Sequence, residues 1–129
     1  MLRKATCCCE KSWVQVEGEP AINAICHCRN CKKRTGSAFG WSAYFPDTKV
    51  VQKVGELKVY VINGANPQQR WFCANCGSTI AWKVGFWPDY TGVAGGCFAD
   101  SPLETPTVTV SNEGRCAWLR LPEDWRTSL

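Results

Sequence analysis

The sequence predicts a mainly β fold, in a single domain that spans residues 1–129. Short runs rich in β-branched and aromatic residues recur along the chain, as expected of strands. Turn signals made of glycine, proline, asparagine or aspartate separate these runs. No segment shows sustained helical periodicity, and a chain of 129 residues suits one domain.

The predicted elements follow one another along the chain as antiparallel strands. The run at 58–61 alternates in the way expected of a half-buried strand. The one long segment without strand character, 29–36, is expected to hold a helical turn. In chain order, the predicted strands are residues 13–17, 22–26, 37–45, 49–54, 57–62, 69–72, 78–84, 91–98, 107–110 and 117–121.

Composition excludes several classes of protein. An apolar fraction of 45% and seven tryptophans exclude an intrinsically disordered chain. No apolar run approaches the ~18–20 residues of a membrane helix, and no apolar signal-peptide core follows the basic segment 1–4. We therefore expect a cytoplasmic protein without a membrane segment. The net charge of +4 is too small to indicate nucleic-acid binding by itself.

Cysteine is the unusual residue of this sequence. Ten cysteines in 129 residues are typical either of a disulfide scaffold or of metal sites. Disulfide scaffolds are mostly secreted, and this chain shows no signal peptide, so metal-bound thiolates are the better interpretation. Because there is one histidine, any zinc site must consist mostly of cysteine.

One predicted zinc site joins two distant cysteine pairs. Cys73 and Cys76 form a C-x-x-C pair followed by Gly77, which is typical of a zinc knuckle because the tight turn lets both thiolates converge. We expect Cys7 and Cys9, on one face of an extended segment, to complete a closed site of four thiolates. The alternatives are a redox dithiol for the C-x-x-C pair and ordinary strand cysteines for the N-terminal pair.

A second predicted zinc site has a different form. Cys26, Cys28 and Cys31 have the spacing C-x-C-x-x-C and no obvious fourth partner. Three thiolates with one open position are typical of a catalytic rather than a structural zinc site. Thiolate softness favours zinc over magnesium or calcium, and the spacing is not that of a common iron–sulfur motif. We therefore predict that these three cysteines are the catalytic metal ligands.

Two alternatives remain open for this second site. His27 is a possible fourth ligand, but strand alternation favours its pointing away from the flanking cysteines. Cys31 could instead close a structural site with Cys97 or Cys116. Otherwise we expect these two cysteines, together with Cys8, to be unreactive thiols, since free buried cysteine is common.

Two ordered motifs carry a family resemblance. Residues 26–39 read CHCRNCKKRTGSAF, and residues 70–78 read RWFCANCGS. These segments look like the two signature motifs of the glutathione-dependent formaldehyde-activating enzyme family, which is shared with centromere protein V. The segments 55–60 and 96–102 also fit, so the resemblance covers nearly the whole chain.

The resemblance implies a β-tent fold of antiparallel sheets organised around zinc. It also implies a carbon–sulfur lyase that acts on a glutathione–aldehyde adduct such as S-hydroxymethylglutathione. Three features depart from the family pattern: Glu10 stands where glycine is usual, Cys8 creates a cysteine triple, and Thr109 lies where many members carry a histidine. The implied ligands are Cys7, Cys9, Cys73 and Cys76 for a structural zinc, and Cys26, Cys28 and Cys31 for a second zinc.

A basic loop adjoins the second site. We expect Arg29, Lys32, Lys33 and Arg34 to hold the carboxylates of a small-molecule thiol, glutathione, with arginine favoured for bidentate contacts. The substrate thiol would occupy the open zinc position as a thiolate, because the metal lowers its pKa. The alternative is a solvated basic loop without a ligand.

Two other functions compete with the lyase prediction. The first is a non-catalytic zinc-binding module for protein or nucleic-acid partners, but the chain has no basic tail or extended basic stripe. The second is methionine sulfoxide reduction, with Cys97 or Cys116 as the nucleophile. It is disfavoured because the C-x-C-x-x-C segment has no role in that chemistry.

Overall fold

The computed structural model describes residues 1–129, and it confirms the predicted mainly β fold. The one α-helix, α1, spans Arg29–Thr35 and ends at Gly36, in the segment predicted to hold a helical turn. No helix has the length and apolar character needed to cross a membrane. The strands are β1 (Leu2–Thr6), β2 (Trp13–Glu17), β3 (Ile22–Cys26), β4 (Gly40–Pro46), β5 (Val50–Val54), β6 (Leu57–Ile62), β7 (Gln68–Cys73), β8 (Thr79–Val84), β9 (Tyr90–Ala94) and β10 (Val108–Val110).

The strands form two sheets. A three-stranded sheet has the order β1-β2-β5, and a seven-stranded sheet has the order β10-β3-β4-β9-β8-β7-β6. Every pair is antiparallel except β10–β3, which is parallel, so the expectation of antiparallel pairing holds for all but one pair. The parallel pair arises because the chain crosses back over a long connection before β10, as parallel pairing requires.

The core lies between the two sheets. Alternation along β2 buries Val14 and Val16, and the same alternation along β4 buries Ala43 and Phe45. Phe98, from a 3₁₀ helix at Gly95–Phe98, packs against Phe45 with ring centroids 6.0 Å apart. These side chains belong to one continuous apolar cluster that both sheets share.

The opposite face of the seven-stranded sheet carries the candidate site. Residues directly opposite each other on neighbouring strands point to the same face. The register pairs Ile22 with Tyr44, Tyr44 with Gly92, and Gly92 with Trp82. Trp82 in turn pairs with Arg70. One row of side chains therefore crosses five strands on the face turned away from the core.

The strand predictions contain three main errors, and each error has a cause in the tertiary structure. β1 was not predicted because it carries basic residues, yet Arg3 is buried against the Gly18 carbonyl and Glu19. Residues 117–121 form no strand, and Trp118 is 71% exposed, because no neighbouring strand lies there to pair with them. The predicted strand 91–98 ends early, where the chain turns into the 3₁₀ helix.

Candidate active site

The first cysteine cluster joins the two sheets. Cys7 and Cys9 lie between β1 and β2, whereas Cys73 ends β7 and Cys76 lies in the turn to β8. All four Sγ atoms lie within 4.8 Å of one another. The Sγ atoms of Cys7 and Cys9 are 3.6 Å apart, and those of Cys9 and Cys73 are 3.7 Å apart. A tetrahedral ion with 2.3 Å zinc–sulfur bonds requires about 3.8 Å between sulfurs, so the cluster fits such an ion.

Two similar turns bring these thiols together. The Gly77 N–H donates to the Cys73 carbonyl at 2.9 Å, and Gly77 has a φ of +81°. The Glu10 N–H donates to the Cys7 carbonyl at 3.0 Å, and Glu10 has a φ of +65°. The expectation that residues 7–9 are extended is therefore wrong, because they form a tight turn. A left-handed conformation favours glycine, which explains why glycine suits position 10 in the family pattern.

Hydrogen bonds around the cluster set different thiol pKa values. The buried Ser12 donates its N–H to Cys7 Sγ at 3.3 Å and its hydroxyl to Cys73 Sγ at 3.4 Å. The Ser12 hydroxyl lowers the pKa of Cys73, and the Ser78 hydroxyl lowers the pKa of Cys76 to about 5. Burial raises the pKa of Cys7 to about 11. A metal ion held by this cluster would therefore have to displace the proton of Cys7.

The second cluster forms where β3 meets α1. Cys26 ends β3, Cys28 caps the helix N-terminus, and Cys31 lies in its first turn. Their Sγ atoms lie within 4.8 Å of one another, and the Cys31 N–H donates to Cys28 Sγ at 3.3 Å. Hydrogen bonds from Cys26 and Cys31 lower the pKa of Cys28 to about 2, whereas hydrogen bonding to Cys26 and Cys28 raises the pKa of Cys31. This cluster has three candidate ligands, so an ion held here would keep an open position.

His27 does not join this cluster. Its ring is fully buried, and Nε2 lies 2.8 Å from the hydroxyl of Thr109. That hydroxyl donates to Asn112 at 2.7 Å, so it accepts the Nε2 proton of His27. Burial, followed by the charges of Arg115 and Lys32, lowers the pKa of His27 and keeps the ring neutral. The histidine therefore holds β3 to β10 instead of acting as a fourth ligand.

The remaining cysteines lie outside both clusters. Cys31 groups with the other two thiols of its own motif, so the alternative that pairs it with Cys97 or Cys116 is not realised. Cys97 lies 3.9 Å from the Thr79 carbonyl, and burial raises its pKa, which makes it a poor nucleophile. Cys8 is exposed and donates its backbone N–H to a serine hydroxyl.

A cavity of about 270 Å³ opens beside the second cluster. Its walls include the three thiols and the row of side chains that crosses the seven-stranded sheet. Of the four basic residues expected at this site, Arg34 alone lines the cavity. Arg29 and Lys33 are exposed and Lys32 is partly buried, but none of the three lines the cavity. These three positions have the spacing i, i+3 and i+4 and share one face of the helix, whereas Arg34 shares the face of Cys31, three residues before it, which lines the cavity.

Arg34 lies beside the three-thiol cluster and against an aromatic ring. Its Cζ lies 4.0 Å from the centroid of Trp82. Its Nη2 is buried and has no hydrogen-bond partner in the protein. A Cβ on Gly40 would lie 2.6 Å from this Nη2 and 3.5 Å from Cys31 Sγ. Because Gly40 has no side chain, the guanidinium can occupy this space.

Arg70 is a cavity residue that sequence analysis missed. It lines the same cavity, and its one side-chain hydrogen bond is a 3.4 Å contact with Gln68. Burial, and then the charge of Arg34, lowers the pKa of the Arg70 guanidinium. Neither arginine forms an ion pair with a carboxylate. The alternation of β7, which turns Gln68 and Arg70 to one face, is the signal that could have indicated this role.

Tyr44 supplies a hydroxyl to the cavity. The Trp82 indole N–H donates to this hydroxyl at 3.1 Å, so the phenolic proton is directed elsewhere. Trp87 packs edge-on against the Tyr44 ring, with centroids 4.9 Å apart. Burial raises the pKa of Tyr44, which keeps the phenol protonated. The cavity thus combines three thiols, two guanidinium groups that form no ion pair with a carboxylate, and one phenolic donor.

Comparison with known proteins gives the same family as the motifs. The family model described as glutathione-dependent formaldehyde-activating enzyme matches residues 2–113. A solved structure of a Rhodobacter sphaeroides protein is similar, with 22% identity and a TM-score of 0.58; the alignment covers 75% of this chain and 86% of that chain. That likeness shows a common fold. No curated protein sequence matches. Because the family model matches 112 of the 129 residues, this chain belongs to the glutathione-dependent formaldehyde-activating enzyme family.

Proposed function

We propose that this protein is a zinc-dependent carbon–sulfur lyase-like enzyme. Its substrate would be the adduct of glutathione, or of another thiol, with an aldehyde, such as S-hydroxymethylglutathione. The family name supports an enzyme that acts with glutathione and formaldehyde. The observation that carries the proposal is the three-thiol cluster, which lies in the wall of a cavity with two unpaired arginines.

The donor sets of both clusters suit zinc. Sulfur ligands favour zinc over magnesium or calcium, and the sulfur spacing of the first cluster fits tetrahedral zinc. A zinc ion in the first cluster would tie the β1–β2 turn to the β7–β8 turn and so stabilise the fold. When bound at the second cluster, zinc would supply an open Lewis-acidic position that favours the thiolate form of a substrate thiol.

The two arginines would orient the substrate. Glutathione carries two carboxylates, and guanidinium groups bind carboxylates through charge-assisted hydrogen bonds. Arg34 and Arg70 lie in the cavity wall without acidic partners, so both are available for such contacts. Each sheltered contact would contribute about 1.5–3 kcal/mol to binding.

Tyr44 would act on the aldehyde oxygen. In the synthetic direction the sulfur electron pair forms the bond to the aldehyde carbon. The π pair of the carbonyl moves to the oxygen, which takes up the proton that the thiol lost. The phenolic proton of Tyr44 is not used by Trp82, so it can donate a hydrogen bond to this oxygen as negative charge develops. The aromatic walls, including Trp87, limit the access of water to the adduct.

The test is the rate at which formaldehyde exchanges between water and glutathione, measured by NMR exchange spectroscopy with carbon-13 formaldehyde. Arg70→Ala should weaken glutathione binding by at least about tenfold and leave mercaptoethanol binding unchanged, because mercaptoethanol has no carboxylate. Tyr44→Phe should slow the exchange and leave glutathione affinity unchanged.

Lys33→Ala is the matched control, because Lys33 belongs to the basic loop but lies outside the cavity. It should behave like the parent with both thiols. If the two-zinc protein neither binds a thiol nor accelerates the exchange, the lyase proposal fails. If Arg70→Ala and Lys33→Ala weaken glutathione equally, general electrostatic attraction is responsible and the arginine contacts are absent.

A further inference from the structure

The strand β6 leaves one edge of the seven-stranded sheet open. It is the last strand of that sheet, and its sequence is LKVYVI. Val59, Tyr60 and Val61 are 47%, 58% and 49% exposed. A regular edge strand that exposes large apolar residues offers its free backbone groups to another chain. This edge is therefore a candidate interaction surface.

The hydrogen bonds to β7 identify the free backbone groups of β6. The Ala74 N–H donates to the Glu56 carbonyl at 2.9 Å, in register with the β6–β7 ladder. In an antiparallel pair, hydrogen-bonded and non-hydrogen-bonded positions alternate. Lys58, Tyr60 and Ile62 therefore direct their backbone groups to β7. The backbone groups of Leu57, Val59 and Val61 point outward, away from the sheet.

The other three sheet edges carry features that discourage pairing. The edge of β10 is covered, because the Thr109 N–H donates to the carbonyl of Arg126 at 2.8 Å. The edge strand β1 carries Arg3 and Lys4. The edge strand β5 carries a β-bulge, because its register with β2 shifts between Gln15 and Val16, and bulges of this kind turn an edge away from pairing. Charged residues and covering segments are the usual protection of edge strands, and β6 has one lysine and no bulge.

We propose that β6 pairs with β6 of a second copy of this chain, in antiparallel orientation about a two-fold axis at Val59. In this register Val59 faces the partner's Val59, and Leu57 faces the partner's Val61. All of these are outward-directed positions, so each facing pair exchanges two backbone hydrogen bonds. A register centred on Tyr60 would use fewer of the outward-directed positions of β6, because Leu57 would then face a residue beyond the end of the partner's strand.

The side chains also complement one another in this register. Lys58 faces the partner's Tyr60, so the two lysines of the dimer do not oppose each other and each ammonium lies beside an aromatic ring. On the other face, the paired valines extend the apolar surface of Trp71, which lies directly opposite Val59 within the chain. This self-complementarity is the reason for choosing a second copy over an unrelated strand.

The pairing would also extend the row of side chains at the cavity. Tyr60 lies directly opposite Arg70 and on the same face of the sheet. The partner's Lys58 would therefore continue the row beyond Tyr60, adding a positive charge on the cavity side. Because one strand per copy makes the contact, we expect a dimer that dissociates on dilution.

The experiment is sedimentation velocity of the metal-loaded protein over a range of concentrations. Val59→Lys and Val59→Glu each place like charges on the two-fold axis, and each should raise the dimer dissociation constant by at least about tenfold. A one-to-one mixture of the two variants should restore the dimer, because lysine then faces glutamate. Circular dichroism and metal content should match the parent, since the side chain is on the surface.

Val51→Lys is the matched control, because Val51 is 52% exposed but lies on β5. It should leave the dimer intact. A parent that remains monomeric at every concentration overturns the proposal, as does a dimer that survives both charge variants. A mixture that stays monomeric overturns the axis at Val59. None of these outcomes depends on catalysis, so they are independent of the proposed function.

Discussion

Replacing Gly40 with alanine is expected to displace Arg34 from the cavity wall. The new Cβ would lie 2.6 Å from Arg34 Nη2 and 3.0 Å from Cys31 Cβ. Ordinary contacts of this kind are longer, so one of the two neighbours must move. Cys31 belongs to the three-thiol cluster and α1 holds its backbone, whereas the guanidinium is the end of a flexible side chain. Arg34 is therefore the group expected to move.

The magnitudes follow from what this movement removes. Displacing Arg34 ends its contact with the ring of Trp82, and contacts of this type contribute about 0.5–2 kcal/mol. With some overpacking around Cys31, the free energy of unfolding should fall by about 1–3 kcal/mol. If Arg34 also holds a substrate carboxylate, the glutathione dissociation constant should rise by about 10- to 100-fold.

Gly36→Ala separates the effect on the cavity from the effect on stability. Gly36 ends α1 with a φ of +62°, and no atom lies within 4 Å of the position a Cβ would occupy. The strained conformation alone should cost about 1–2 kcal/mol, without a change at the cavity. Urea unfolding gives the stability of each variant, and calorimetric titration gives its glutathione affinity. If Gly40→Ala binds glutathione as the parent does, or if both variants lose affinity together, the assignment of Arg34 is wrong.

Three further predictions concern stability. Cys76→Ser should abolish cooperative thermal unfolding, because the cluster that contains Cys76 joins the two sheets. Cys31→Ser should keep cooperative unfolding and lose one of two zinc equivalents, as measured by elemental analysis. If Cys31→Ser is the variant that loses cooperative unfolding, the roles of the two clusters are exchanged. Glu10→Gly should raise the urea unfolding free energy by about 1 kcal/mol because it removes a left-handed non-glycine residue, and an unchanged value would contradict this. Burial would raise the pKa of Asp47, but the hydrogen bond from Lys83 helps to hold it below its ordinary value. Asp47→Asn should therefore lower the free energy of unfolding at neutral pH, where the Asp47 carboxylate is charged. The difference in unfolding free energy between variant and parent should disappear as the pH falls through the folded-state pKa of Asp47. A difference that is the same at all pH values would exclude this ion pair as the cause.

The cysteine clusters could be predicted because their thiols come from short segments: two cysteine pairs in the first cluster and one C-x-C-x-x-C segment in the second. The C-x-x-C pair before Gly77 needs one tight turn, and Cys28 and Cys31 converge because a helix cap and its first turn lie on the same side. A few backbone dihedral angles decide such geometry, and the residue types indicate those angles. The mainly β class could be predicted for a similar reason, since strand composition and turn signals are short-range patterns.

Features that depend on strand pairing could not be predicted in this way. The strand β1 is stable because Arg3 finds a carbonyl and a carboxylate from a neighbouring turn, which its own residues do not indicate. The turn at Glu10 is imposed on a residue that does not favour it, and the surrounding hydrogen bonds and convergence of the thiols hold it there.

The cavity depends on tertiary structure to the greatest extent. Arg70 approaches Arg34 because the register of four strands places Tyr44, Gly92, Trp82 and Arg70 in one row. The sequence by itself determined which thiols could hold metal, because their spacing is a property of a short segment. The tertiary structure alone decided which arginine side chains lie beside those thiols, because a shift of one residue in any strand would turn its side chains to the opposite face of the sheet.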